Sequence, residues 1–281
     1  MQSSLRAIIR ILLMFLWMTV WGPVVMACRY IGGRSFLKAR CWMYKAGLKI
    51  VNIELDVQGT IDRTKPVLFV SNHVSYLDIV VLGSLLPASF ISKQEVKSWP
   101  MFGLVAMLTN TVFIERRASR TTQGLQHVKN QLQKGDSLIL FPEGTTTNGN
   151  HVKTFKTSFF QVVEEDMDRA MFSLQPVSIA YTHINGLPMG IKWRTHFAWT
   201  GDASLLPHVW DVLKHGGARV EVCIHPPLTD LAHDRKKVAL QCQRMIASSL
   251  SDSLGGNLKS SESNVIPFTR EAKPDKKRRS A

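Results

Sequence analysis

The stretch Val67-Leu68-Phe69-Val70-Ser71-Asn72-His73-Val74-Ser75-Tyr76-Leu77-Asp78 changes character twice within twelve residues. It opens as an apolar run of strand length, breaks at the polar pair Asn72-His73, and from Tyr76 to Leu86 repeats apolar residues at helical spacing. A strand that feeds a helix through a tight turn is the unit of an α/β fold, where ligands gather at the carboxyl ends of the strands. His73 falls at such an end. A histidine and an aspartate five positions apart would diverge by roughly 140° on one helix. They can meet only if His73 sits in the turn and Asp78 in the helix, and Asn72, a turn or cap residue, supplies the break. An aspartate on one ring nitrogen would fix the tautomer and leave the other nitrogen free to take a proton from a hydroxyl, which makes His73 a candidate general base. The plainer alternative is a histidine at a helix start beside an unrelated acid.

Outward from this block the same alternation continues. Strand-like runs recur at Val51 to Val57, Val67 to Ser71, Ser89 to Ser92, Thr111 to Ile114, Ser137 to Phe141, Leu174 to Tyr181, Lys192 to Thr200 and Arg219 to Ile224. Helical patterns fall at Tyr76 to Leu86, Ala118 to Gln133, Thr154 to Asp168, Leu205 to Lys214 and His233 to Leu250. The order predicts one α/β domain over residues 49–254, with a mixed, largely parallel sheet and crossover helices.

The N-terminal residues 1–48 read differently. From Ile11 to Cys28 the chain runs 18 residues without a charge, about 27 Å as a helix, close to the thickness of a bilayer core. Arg6 and Arg10 flank it on one side, Arg29, Arg34, Lys38 and Arg40 on the other, and Trp17, Trp21 and Tyr30 suit an interface. Met26-Ala27-Cys28 lacks the small-x-small pattern of a cleaved signal, and Gly22-Pro23 would kink a helix. The expectation is a retained membrane helix or helical hairpin, against the alternative of a buried core helix. Residues 255–281 turn polar and end in a basic cluster, which reads as a disordered tail able to adhere to anionic lipid.

Thirty-five Lys and Arg against 21 Asp and Glu give +14, a charge that favours an anionic partner: nucleic acid, phospholipid headgroups or an acidic carrier protein. Neither a C2H2 spacing nor an aromatic RNP-like run is present, which argues against nucleic acid. Cys28, Cys41, Cys223 and Cys242 show no C-x-x-C spacing, so neither a zinc site nor a disulfide framework is signalled, and a reducing, cytosol-facing location is expected. A serine hydrolase would want G-x-S-x-G at a strand-to-helix turn, which does not occur.

A second site feature is Phe141-Pro142-Glu143-Gly144-Thr145, at the exit of an apolar strand. Glycine permits close backbone approach to a ligand, and exposed amides beside a basic residue suit phosphate. Glu143 should bind an acceptor hydroxyl or hold an arginine, with Arg116 and Arg117 the natural partners. Alternatively, Glu115, Arg116 and Arg117 form a solvated charge run.

Together these residues resemble the glycerolipid acyltransferases typified by bacterial 1-acyl-sn-glycerol-3-phosphate acyltransferase. Four blocks match in order over about residues 65 to 200: Asn72-His73-x4-Asp78, Phe113-Ile114-Glu115-Arg116, Phe141-Pro142-Glu143-Gly144-Thr145 and Leu174-Gln175-Pro176-Val177-Ser178-Ile179-Ala180. The resemblance implies that His73 activates an acceptor hydroxyl and Asp78 orients it. It further implies that Arg116, Glu143, Gly144 and Thr145, with Asn72, hold the acceptor, and that Pro176 shapes the site. Glu115 stands where the family more often has aspartate, and Thr146 where an arginine often follows the Gly-Thr. Losing that arginine removes a phosphate contact, which Lys153 or Lys156 would have to replace. Trp199-Thr200-Gly201-Asp202, Leu205-Leu206-Pro207-His208 and His225-Pro226-Pro227 further resemble the subgroup of lyso-ornithine lipid acyltransferases.

The implied reaction moves a fatty acyl group from acyl-CoA or acyl carrier protein to a lysolipid, first 1-acyl-sn-glycerol-3-phosphate giving phosphatidic acid, second a lyso-ornithine lipid. It calls for no metal and no resident cofactor, the thioester being a co-substrate. The implied setting is a bacterial inner membrane with the catalytic domain on the cytoplasmic side. Ile79 to Leu86 and Met101 to Met107 are candidates to line a tunnel for the fatty chain, although most of them read as ordinary core. A non-catalytic lipid-binding protein is the reading from another class, which intact His73, Asp78 and Glu143 oppose.

Overall fold

The computed structural model describes residues 3–99, 101–114, 121–163, 171–200, 203–228, 234–257 and 264–265. Among them nine strands join in one sheet: β1 (Ile53–Gly59), β2 (Val67–Ser71), β3 (Ala88–Lys93), β4 (Val112–Ile114), β5 (Ser137–Leu140), β6 (Ser173–Ile184), β7 (Leu187–Pro188), β8 (Ala218–Ile224) and β9 (Asn264–Val265). Their order is β4-β3-β5-β2-β6-β8-β1-β9, with β7 folded back on β6. Neighbours from β4 to β6 run parallel, as do β8 and β1, while β6 meets β8 antiparallel. The sheet is thus mixed and largely parallel, as the alternation of runs implies.

The helices are α1 (Ser4–Ile31), α2 (Gly33–Val51), α3 (Leu77–Leu85), α4 (Phe102–Leu108), α5 (Thr121–Gln133), α6 (Ile191–Arg194), α7 (Leu205–Lys214) and α8 (Arg235–Leu254). They cover both faces of the sheet. Side chains alternate along β2, so Phe69 joins a cluster with Met43 and Leu48 of α2, Leu82 of α3 and Val212 of α7. Leu68 and Val70 point the other way, to Leu132 of α5, Phe160, and Cys242 and Ile246 of α8.

The two N-terminal helices belong to this packing. Met43 and Leu48 are fully buried, so the expected boundary at residues 48 and 49 falls inside a helix of the core. Along α1 the residues Ala7, Arg10, Gly22 and Val25 are buried against the domain, a stripe at helical spacing. The helix runs unbroken past Gly22-Pro23. Its start is fastened by Arg10, which donates to the carbonyls of Leu213, His215 and Gly216. Trp17 Nε1 donates to Met43 O at 2.8 Å. Near its end Arg29 donates to Met107 O at 2.8 Å. The outer face is apolar and exposed, with Leu5, Leu12, Phe15 and Leu16 each more than half accessible.

Two expectations are corrected. Lys192 to Thr200 is not a strand. Aromatic residues at 193, 197 and 199 give it an alternating look, but the amides of Trp193 and Arg194 both close onto Gly190 O to make the short α6. The chain then folds back so that Trp199 N reaches Val74 O. Thr154 to Asp168 is not an α-helix where described: Thr157–Val163 forms a 3-10 turn that buries Phe160, Val162 and Val163, and residues 164–170 lie outside the described part. Of the expected C-terminal tail, 258–263 and 266–281 also lie outside, while Asn264–Val265 pairs with β1.

Candidate active site

β2 ends at Ser71, and the next five residues turn into α3. Asn72 holds this turn in place. Its side-chain amide accepts from Ile179 N and donates to Ile179 O, both at 2.9 Å, and it is buried. With both ends of the amide bonded to β6, Asn72 fixes the turn.

His73 and Asp78 meet. Nδ1 lies 2.8 Å from Asp78 Oδ2, and because an ionised carboxylate only accepts, Nδ1 carries the proton and Nε2 offers a lone pair. Asp78 is fully buried, whereas the His73 side chain is 19% exposed. The same Oδ2 accepts from the amides of Val74 at 2.7 Å and Ser75 at 3.0 Å. An acid in the first turn of a helix thereby satisfies amides that precede it, with the helix dipole in its favour. Oδ1 accepts from Tyr181 Oη at 2.8 Å. Burial, reinforced by the neighbouring Asp78 charge, holds the Tyr181 phenol well above its ordinary value, so it stays a donor. The imidazole stacks on Phe141, ring centres 4.1 Å apart.

The backbone of His73 is clamped as well. Its amide donates to Glu143 Oε1 at 2.8 Å, and the other oxygen of Glu143 accepts from Lys153 N at 3.0 Å. Glu143 therefore bridges the His73 turn and the loop after β5. Burial pushes its carboxyl up to about 7, against the two amides that favour the charged form. The expected role of gripping an acceptor hydroxyl or an arginine is not what the described contacts display. Arg116, with Arg117, lies outside the described residues. The carbonyl of His73 accepts from Thr147 N at 2.9 Å. Thr146, where the resembled family often has arginine, is buried and donates its hydroxyl to Trp199 O.

Gly144 takes φ +67°, and a Cβ there would lie 2.9 Å from Lys156 Nζ, so the turn requires glycine. Thr145 is half-buried, and Lys153 and Lys156 are exposed beside the turn. Pro176 sits in β6 opposite Val70, with no polar contact to His73. Tyr181, Thr147 and Trp199 complete the site and were not foreseen. Tyr181 follows Ile179 on the core face of β6, and a hydroxyl at such a position signals an internal partner.

Beside the turn a small apolar crevice of about 60 Å³ opens between Met14 and Trp17 of α1, Tyr76 and Val80 of the α3 region, Phe102 of α4 and Val209 of α7. Val80 and Phe102 come from the two runs expected to line a tunnel; Val81, Leu82 and Leu86 are core. Among the described residues no three His, Cys, Asp or Glu side chains gather into a metal-binding group.

The site thus sets a histidine on a buried carboxylate, at a strand end beside an apolar crevice. A family model described as Acyltransferase matches residues 52–180. A lyso-ornithine lipid O-acyltransferase from Rhizobium meliloti is 36% identical over 262 residues, covering 90% of this chain and 88% of the relative. A 1-acyl-sn-glycerol-3-phosphate acyltransferase from Neisseria gonorrhoeae is 38% identical over 119 residues, 42% of this chain and 47% of the relative. The fold matches the crystal structure of the 1-acyl-sn-glycerophosphate acyltransferase PlsC from Thermotoga maritima with a TM-score of 0.62 at 19% identity, covering 88% and 94% of the two chains. The chain belongs to this acyltransferase family of lysolipid-acylating enzymes.

Proposed function

We propose that His73 is the general base of an O-acyl transfer from an acyl thioester to the free hydroxyl of a lysolipid, and that the acceptor is a lyso-ornithine lipid. The observation that carries the reading is the Nδ1 contact with buried Asp78, which leaves Nε2 as the open, proton-accepting atom. Nε2 takes the hydroxyl proton as the alkoxide oxygen bonds to the thioester carbonyl carbon. The tetrahedral intermediate collapses, the C–S bond breaks, and the imidazolium returns the proton to the departing thiolate. Asp78 stabilises the imidazolium between these steps.

Two observations favour the lyso-ornithine acceptor over the phosphate-bearing one expected first. The relative bearing that name aligns over nearly the whole chain, whereas the glycerol-phosphate enzyme aligns over less than half of each. The position that would carry a phosphate-gripping arginine is Thr146, turned inward to Trp199 O. The donor is acyl carrier protein or acyl-CoA, both anionic and both suited to a chain of charge +14. The apolar crevice beside Tyr76 offers the fatty chain an apolar surface next to the turn, and would have to widen to take it. The enzyme sits at the cytoplasmic face of a membrane, with the outer side of α1 in the lipid.

The test is transfer of a labelled acyl group to lyso-ornithine lipid and to 1-acyl-sn-glycerol-3-phosphate, with products identified by mass. His73→Ala should lower turnover by about 10²–10⁴-fold with either acceptor, and equal turnover would remove His73 from the chemistry. Preference for the phosphate-bearing acceptor would overturn the headgroup assignment. In that case Arg116→Ala should harm the phosphate-bearing acceptor far more than the other.

A further inference from the structure

Tyr181 stands in the middle of β6, 1% exposed, with its ring stacked on Phe197 at 6.0 Å. Packing, rather than the hydrogen bond it makes, therefore sets where its hydroxyl lies. That hydroxyl donates to Asp78 Oδ1 at 2.8 Å. On the reading of His73 as base, we infer that Tyr181 is a positioning residue for the reaction, supplying the far oxygen of Asp78 with its one donor among the described residues and holding the near oxygen on His73.

Asp78 has no accessible surface, so bulk solvent does not reach its carboxylate. Oδ2 is already engaged by His73 Nδ1 and the amides of Val74 and Ser75. Oδ1 has Tyr181 alone among the described residues. No lysine or arginine pairs with Asp78 among the described residues; the other ionisable groups around it are His73 from the turn, Glu143 from the loop after β5, and Tyr181 from β6, itself beside Tyr76. The site thus carries a buried negative charge held by hydrogen bonds and one imidazole. A buried carboxylate oxygen deprived of its donor costs free energy in the charged form only.

This dictates a pH signature. The active pair, neutral His73 with ionised Asp78, carries one negative charge; with one proton more it is neutral overall. Removing the Tyr181 hydroxyl destabilises every state in which Asp78 is ionised, the active pair and the ion pair with imidazolium alike, and so draws the extra proton toward the carboxylate. The upper apparent pKa of the pair therefore rises to the extent that Asp78 takes that proton, and the acid limb of the kcat/KM profile moves to higher pH with it.

The experiment compares wild type, Tyr181→Phe and a full-length protein with 3-fluorotyrosine at position 181, using an acyl thioester and lyso-ornithine lipid, with His73→Ala in parallel. Tyr181→Phe should show a kcat about tenfold lower, KM unchanged within about twofold, and an acid limb displaced to higher pH. Fluorotyrosine, a stronger donor of nearly the same shape, should lower that limb. Wild-type kcat and wild-type limbs in both variants would overturn the inference, as would a loss of folded protein accompanied by a normal profile. Should Tyr181→Phe not fold, the fluorotyrosine protein decides alone. Activity retained by His73→Ala would sink the base assignment itself; an inactive His73→Ala beside normal Tyr181 variants sinks only the positioning role.

Discussion

Glu143 combines two demands that pull against each other. Ionised, it accepts from the amides of both His73 and Lys153 and so fixes the catalytic turn. Buried, it resists ionisation, and its carboxyl is raised from an ordinary 4.5 to about 7. The folded chain thus keeps a proton that the unfolded chain releases. The contribution is full below about pH 4.5 and is lost as pH climbs through about 7, so stability should fall across that window. Glu143→Gln removes the titration. Urea midpoints measured from about pH 4.5 to pH 8 should show a flatter slope in the variant, and an unchanged slope would place the raised group elsewhere. Glutamine also turns an NH2 toward one of the two amides, so kcat should drop by about tenfold. At this scale the sequence was legible wherever a residue type has one dominant chemistry. His73 with Asp78 could be paired because imidazole and carboxylate have an obvious use for each other. The duty of Glu143 was not legible, because backbone amides carry no sequence signature. Asn72 was hidden for the same reason, its partner being the backbone of a strand more than a hundred residues away.

Elements are placed by their neighbours, and the α2–α3 contact illustrates how narrowly. Gly83 of α3 faces the ring of Tyr44 of α2, and a Cβ there would fall 2.5 Å from two ring carbons. In an exposed helix interior, Gly→Ala would gain about 1 kcal/mol from propensity. Here overpacking against a fully buried tyrosine should outweigh that gain at about 1–3 kcal/mol. Gly83→Ala is therefore expected to lose stability, by up to about 2 kcal/mol net, in chemical denaturation, and a stabilised variant would show that Tyr44 can yield. Periodicity located β2, β5, β8 and α7 almost to the residue, because each has one buried face or a wholly buried run. It failed for Lys192 to Thr200, where Trp193, Phe197 and Trp199 alternate for different reasons. Trp193 is largely exposed, Phe197 is core, and Trp199 closes over the turn that holds His73. Alternation among aromatic residues reports a strand only when a sheet position exists to receive it.

For the molecule as a whole, the question is how α1 meets the membrane. Its 28 residues would reach about 42 Å, ample to cross a bilayer, and composition alone favours crossing. Packing does not. The start of α1 is tied to Leu213, His215 and Gly216, and its last turns to Met107, so one globular domain lines most of its length. Crossing would carry those carbonyls and the domain around them into hydrocarbon, where unsatisfied polar backbone is prohibitive. A helix with one side on the domain and an apolar opposite side is suited instead to lie in the plane of the interface. Both of its ends should then face the same compartment. In a Cys28→Ser background, cysteines placed singly at Ser4 and Arg34, just beyond the two ends of the apolar run, should react with an impermeant maleimide from the same side of sealed vesicles. Labelling from opposite sides would establish a crossing helix and require the domain to detach from α1 in the bilayer. Retention on anionic vesicles should weaken with salt, through the basic surface, yet persist through the apolar face. Full release by salt alone would mean that the outer side of α1 never enters the lipid.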